Sequence, residues 1–243
     1  MTYCIGIALE TGLVFCSDSR TNAGVDQVSS YSKMHTFGIE GERQFVLLSA
    51  GNLATTQAVV SQLRQDILTG IGAPNLFKTK TLAEAADYIG EVSLKRQARY
   101  LESRHSSFDP KVTFILGGQI IGEAPEIYLI YPEGNYIATS RDHPFLQIGE
   151  SKYGKPILDR VITPATSIEA AAKCAIVSMD STLRSNLSVG PPVELRVYDR
   201  DRFTSGHYLR FDEDAPYLRL LGKRWNQKLI EAFGTLPEIS WDS

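Results

Sequence analysis

The apolar and polar positions of the chain fall into blocks of two different periods. Residues 3–9 (YCIGIAL) are almost continuously apolar, Glu10-Thr11-Gly12 is a turn signal, and 13–17 (LVFCS) is apolar again. That pattern predicts a hairpin whose strands are buried on both faces. Residues 45–50 (FVLLSA) predict a further buried strand ending at Gly51. Beyond it Leu53, Ala54, Ala58, Val59, Leu63 and Ile67 recur at helical spacing, which predicts an amphipathic helix over 53–68. Thr81-x-x-Glu84 has the form of a capping box and opens a second helix, with Leu82, Ala85, Ala86, Ile89, Val92 and Leu94 leading towards Tyr100. The period then returns to strands at 112–121, 126–131, 136–139 and 145–149, with Pro132-Glu133-Gly134-Asn135 as a turn. Helices follow at about 153–162 and 167–186, the latter behind Thr166-x-x-Glu169 as a second capping box. Strands at 193–198 and 207–211, a helix at about 216–233 and a frayed tail at 234–243 complete the pattern.

Strands and helices thus come in consecutive blocks, not in alternating strand–helix–strand units. Two stacked, mainly antiparallel sheets flanked by helices fit that order, because a strand lying between a second sheet and a helix layer is buried on both sides. The class is α+β, and with no linker, repeat or low-complexity tract a single domain over 1–243 is expected.

Composition narrows the function. The chain has 243 residues, 43% hydrophobic and 22% charged, with a formal net charge of −3, so it lacks the basic field that draws in nucleic acid. No apolar run reaches the roughly 18–20 residues of a membrane span, and the start lacks the basic-then-apolar layout of a secretory signal. Cys4, Cys16 and Cys174 form an odd, sparse set without C-x-x-C spacing, which points to reduced thiols and a cytoplasmic location. His35, His105, His143 and His207 show no metal-ligand spacing, and neither a metal nor another cofactor is expected. The chain contains no Walker motif, so it would not itself hydrolyse ATP.

The chemistry concentrates at the start. Thr2 stands at the head of the first strand with no slack before it. With Met1 removed, Thr2 would carry a free amine, of ordinary pKa about 7.7–8.0, and a hydroxyl on one residue. The amine can act as general base and the hydroxyl as nucleophile. A hairpin returns the end of "CSDSR" to the first residue of the first strand, so Asp18 is expected beside Thr2, with the lysine of "SSYSKMHTF", Lys33, next to Asp18. Gly51, in "LLSAGNLATTQ", stands where a strand turns into a helix, and the free N–H groups of a helix start suit a developing oxyanion.

With "MTYCIGIALETGLVFCSDSRTNAG", "SAGNLATTQAVV", "IGESKYGKPILDR" and "SMDSTLRSNLSVGPP", the chain resembles, over nearly its whole length, the proteasome β-subunit-type peptidases of the N-terminal-nucleophile hydrolase superfamily. Among these it is most similar to the bacterial Anbu (ancestral β-subunit) family. The resemblance implies a four-layer αββα sandwich and a threonine-type endopeptidase. In it Thr2 matches the nucleophile, Asp18 its acidic partner, Lys33 the active-site lysine and the Gly51 N–H the oxyanion donor. Ser151, with Glu150 competing for the same place, matches the residue that orients the amine, and Ser188 matches a second supporting serine. Thr21, Ser49 and Leu53 match positions lining the pocket for the substrate side chain. The family's Arg-Asp-x-x-Ser-Gly stretch reads here Arg184-Ser185-Asn186-Leu187-Ser188-Val189-Gly190, without the acid. The propeptide that usually precedes the threonine is not expected, so methionine removal would free the amine. Peptides or unfolded proteins are the expected substrates, with self-association into a ring or an open spiral; neither nucleic acid nor membrane is an expected partner, and an ATP-dependent unfoldase is left open. A silent scaffold subunit and an amidohydrolase for small non-peptide amides remain alternatives. The candidate contact surfaces are the helices over 53–101, with "KRQARYLESRHSS" (95–107), and the last helix.

Overall fold

Strands that read as apolar throughout prove to lie between two other layers. The computed structural model describes residues 1–22, 28–70, 74–101 and 109–241. One five-stranded sheet has the order β10 (Phe145–Gly149), β1 (Tyr3–Leu9), β2 (Gly12–Asp18), β11 (Val193–Asp199), β12 (His207–Phe211). The other has the order β5 (Met34–Ile39), β6 (Arg43–Gly51), β7 (Val112–Ile120), β8 (Glu126–Ile130), β9 (Tyr136–Ala138). All neighbours in both sheets are antiparallel. A short ribbon of β3 (Arg20–Asn22) and β4 (Val28–Ser30) stands apart from them. Helices α1 (Leu53–Thr69) and α2 (Leu82–Leu101) pack on the second sheet, and α3 (Lys155–Val161) and α4 (Ile168–Ser185) on the first. Helix α5 (Pro216–Phe233) lies against α4. The result is the αββα sandwich that the block order implied.

Alternation along β1 and β2 assigns each side chain its layer. Tyr3, Ile5, Ile7, Val14 and Cys16 pack beneath α4 with Ala171, Ala175 and Met179. Cys4, Leu13 and Phe15 face the other way and meet Leu48, Ile115 and Ile127 of the second sheet. The sheets come close where β7 carries Gly117. A Cβ there would stand 2.5 Å from the Phe15 ring, and one at Gly6 would stand 3.0 Å from Ile115.

Several boundaries differ from the pattern reading. The ribbon β3–β4 and the strand β5 were not anticipated. β5 (MHTFGI) is an edge strand paired only with β6, and only Met34 and Phe37 in it are buried, so its sequence shows little apolar run. α4 is capped by Ser167, whose Oγ accepts the Ala170 N–H at 3.3 Å. Thr166 instead accepts the N–H of Thr163 at 2.9 Å, so the box expected at Thr166 is displaced by one residue. α3 spans seven residues from Lys155, shorter than expected, with its proline in the first turn. At α2 Thr81 does cap, accepting the Glu84 N–H at 3.1 Å, but the Glu84 carboxylate reaches the Lys80 N–H and not that of Thr81. The end of the segment 95–107 lies outside the described residues from 102 onward.

α5 is peripheral: Gly222 is its one buried residue, while Ile230 and Phe233 are 65% and 76% exposed. Beyond it Leu236, Ile239 and Trp241 are also exposed, in a segment with neither helix nor strand.

The Gly117 contact is a test of sheet spacing. Gly117→Ala places a methyl against a fully buried ring, and a loss of about 1–3 kcal/mol is expected from such overpacking, read as a lower midpoint in urea unfolding. Unchanged stability would mean that the sheets have room there.

Candidate active site

Asp18 closes β2 at the point where the hairpin brings it level with the start of β1, and it is fully buried. Its carboxylate gathers donors from three separate stretches of chain. The Tyr3 N–H donates to Oδ1 at 3.0 Å, the Gly190 N–H to Oδ2 at 3.1 Å, and Lys33 Nζ to Oδ1 at 2.6 Å. Lys33, 4% exposed, also donates to the Arg20 carbonyl at 2.8 Å. Burial raises the Asp18 carboxyl above the ordinary aspartate value, and Lys33 with the two backbone N–H groups pulls it back.

Thr2 is half-buried, and its carbonyl accepts the Glu150 N–H at 2.7 Å. That contact depends on Gly149, whose φ is +82° and whose Cβ, if present, would fall 1.9 Å from the Thr2 oxygen. Gly51 has a similar constraint at the end of β6: φ is +107°, and a Cβ would meet the Lys111 carbonyl oxygen at 2.4 Å. Asn52 then caps α1, its side chain accepting the Thr55 N–H at 3.2 Å.

A cleft of about 410 Å³ opens here, and Thr2, Thr21, Lys33, Ser49, Gly51 and Leu53 all line it. Six of the nine residues singled out from sequence therefore meet around one cavity, and Asp18 stands directly behind Lys33. Ser151 and Ser188 do not line the cleft. The Ser151 carbonyl accepts the Lys155 N–H, and the Ser188 N–H donates to Asn186 Oδ1 at 2.9 Å. Glu150 is bonded through its Oε2 to Asn186 Nδ2 at 3.0 Å, and its charge acts on the amine of Met1. Burial and then Lys33 hold that amine below its ordinary value, with Asp18 and Glu150 opposing.

Three features were not drawn from the sequence. Glu194 is 4% exposed and accepts from Ser19 Oγ and Ser32 Oγ at 3.0 Å and from Tyr208 OH at 2.6 Å. It thereby ties down the residues next to Asp18 and Lys33. One signal for it exists: in VELRVY the apolar Val193, Leu195 and Val197 pack on α4, so the acid between them must face the other way. His35 lines the cleft, and its imidazole is lowered to about 4, first by burial and then by the nearby Arg64. Arg64 itself lines the cleft from α1. Among the described residues no group of three or more His, Cys, Asp or Glu is placed to hold a metal ion. The three cysteines are buried and unpaired, and no described helix is long and apolar enough to cross a membrane.

A threonine hydroxyl sharing a cleft with a buried lysine–aspartate pair and a strand-to-helix turn suits acyl transfer from an amide. Comparison with known proteins finds similar chains. The family model described as "Proteasome subunit" matches residues 2–197. Anbu (ancestral beta-subunit) from Yersinia bercovieri is 45% identical, with 98% of this chain and 99% of that chain covered and a TM-score of 0.92. An Anbu (Gly-1) mutant from Hyphomicrobium sp. strain MC1 is 44% identical, with 99% and 100% covered and a TM-score of 0.92. The chain in the helical assembly of the Anbu complex from Pseudomonas aeruginosa is 43% identical, with 98% of each covered and a TM-score of 0.91. No curated protein matches.

His35 gives a pH signature. The unfolded chain protonates it near pH 6.5, whereas the folded protein resists until about 4. The unfolded state therefore binds the extra proton first, and stability should fall as pH drops through that window. The difference in unfolding free energy between parent and His35→Gln should shift in favour of the variant over the same range. A difference independent of pH would contradict the burial of a neutral imidazole.

Proposed function

The chain belongs to the proteasome subunit family and to the Anbu branch within it, and from that premise we propose that it is a threonine-type peptidase. The observation carrying the reading is the position of Thr2: it heads β1 in the same cleft as Lys33, and the next residue's N–H is bonded to the carboxylate that holds Lys33. Removal of Met1 frees the Thr2 amine. Thr2 Oγ1 then attacks the carbonyl carbon of a peptide bond and its proton passes to that amine, which is the general base. The Gly51 N–H stabilises the oxyanion. The C–N bond breaks, the leaving amine takes up the proton, and water hydrolyses the ester on Thr2. The positive charge of Lys33, held by Asp18, favours both the neutral amine and the deprotonated oxygen. Thr21, Ser49 and Leu53 form the wall on which the substrate side chain rests.

Around the amine, Glu150 has the stronger support. Its carboxylate acts on the amine of Met1, one residue before that of Thr2, and is fixed by Asn186, which with Ser185 stands where the family's acid is missing. Ser151 and Ser188 take supporting places at the edge of this group. The same nucleophile would open a small non-peptide amide, and the silent-scaffold reading needs neither Thr2 nor Lys33.

We also propose self-association. The similar chain from Pseudomonas aeruginosa forms a helical assembly, and here α5 and the segment after it expose Leu229, Ile230, Phe233, Leu236 and Trp241. Large apolar side chains exposed in one stretch of chain suit contact with another copy, and repeated heterologous contacts between copies give a ring or, with any rise, an open spiral.

Incubation with a peptide epoxyketone or β-lactone followed by mass analysis should find the adduct on a chain beginning at Thr2. Thr2→Ala should neither label nor turn over a peptide while keeping the parent's circular dichroism. Hydrolysis undiminished in purified Thr2→Ala would sink the peptidase reading.

Mass photometry should find species well above the 26.9 kDa of one chain, and charged substitutions at Ile230 and Phe233 should reduce them. A monomer at every salt concentration would contradict assembly.

A further inference from the structure

The cleft has an electrostatic asymmetry that the catalytic reading does not use. Among the described residues lining it none is a carboxylate, while Lys33, His35 and Arg64 are basic in type. Lys33 is paired with Asp18 at 2.6 Å, and His35 is uncharged near neutral pH because burial lowers it to about 4. Arg64 is different. It makes no ion pair or hydrogen bond with the described residues, and α1 offers it no acid at the positions three or four residues away, which are Val60, Ser61, Ile67 and Leu68. The wall of α1 facing the cleft runs through Leu53, Gln57, Val60 and Arg64. Arg64 lies about 16 Å along the helix axis from Leu53, and its side chain leans back towards the helix start and the site. A guanidinium without a partner among the described residues, towards the far end of a cleft whose lysine is already paired, is a fork for a carboxylate.

We propose that the end of the cleft bounded by Arg64 is a subsite for an acidic side chain, so that the preferred substrates are peptides carrying glutamate on the segment seated along α1. The proposal rests on the peptidase reading for its substrate, but not for its test. Arg64 is exposed and helical, and glutamine has a similar helix propensity, so Arg64→Gln is expected to fold.

The test uses Thr2→Ala protein, which cannot turn substrate over, and short fluorescent peptides in which glutamate is scanned through each position against glutamine at the same position. At one position or more, glutamate should bind about fivefold more tightly than glutamine, the size of an exposed ion pair. That ratio should shrink as salt rises from about 0.05 M to about 0.5 M. It should vanish in Arg64→Gln, partly return in Arg64→Lys, and favour lysine peptides in Arg64→Glu. Equal binding of glutamate and glutamine peptides at every position, no binding of any peptide, or a ratio that survives Arg64→Gln would each overturn the subsite. The two readings fail separately. A Thr2 labelled by an uncharged probe together with equal glutamate and glutamine binding removes only the subsite, whereas a glutamate preference without any Thr2 labelling removes only the peptidase.

Discussion

A single buried ion pair organises the functional end of this molecule. Asp18 and Lys33 are 0% and 4% exposed, with Nζ and Oδ1 2.6 Å apart. Taking two charges out of water is costly, and the attraction between them offsets that cost only when the remaining lone pairs and protons are also satisfied. Here they are: β1 and the loop at Gly190 each turn an N–H towards Asp18, and the Arg20 carbonyl takes a proton of Lys33. The pair therefore ties the first strand, the end of the second, the approach to β5 and the loop after α4 to one point. Loss of either charge would strand the other in the interior, a change that typically costs about 3–5 kcal/mol. The geometry around Thr2 is inherited from this knot, because its neighbour Tyr3 is one of the groups that Asp18 holds.

Glu194 repeats the device one strand away. Its carboxylate binds the hydroxyls of Ser19 and Ser32, and these serines are the chain neighbours of Asp18 and Lys33. Two acids on adjacent strands of the first sheet thus position the segments from which the site is built. The layers beneath provide rigidity: Phe15, Leu48 and Ile115 fill the space between the sheets, and the close approach at Gly6 and Gly117 leaves little freedom for one sheet to slide on the other. The cleft consequently lies on a fixed frame, with Gly149 and Gly51 supplying the backbone shapes at its rim.

Much of this was legible in the chain. The apolar runs YCIGIAL and LVFCS could be satisfied only between two layers, and the hairpin joining them had to return Asp18 to the start of β1. The periodic apolar faces fixed α1, α2 and α4 to within a few residues. Where the reading slipped, local and distant preferences competed. Thr166 and Ser167 both can cap, and the geometry of the turn after α3 selected the second. β5 carries few apolar residues because one of its edges is unpaired, so its strand state rests on pairing with β6.

The sequence by itself determined the layers, the strand headed by Thr2 and the return of Asp18 to its start, because these follow from local periodicity and short-range turns. Only the tertiary structure decided which polar groups meet. Ser32 and Glu194 are 162 positions apart, and Asn186 and Glu150 are 36 apart. Whether Arg64 has a partner depends on what the rest of the fold brings to its side of α1. Nothing in the residues next to these groups encodes such contacts. They arise when the two sheets close on each other and burial leaves each charge either paired or facing an open cleft.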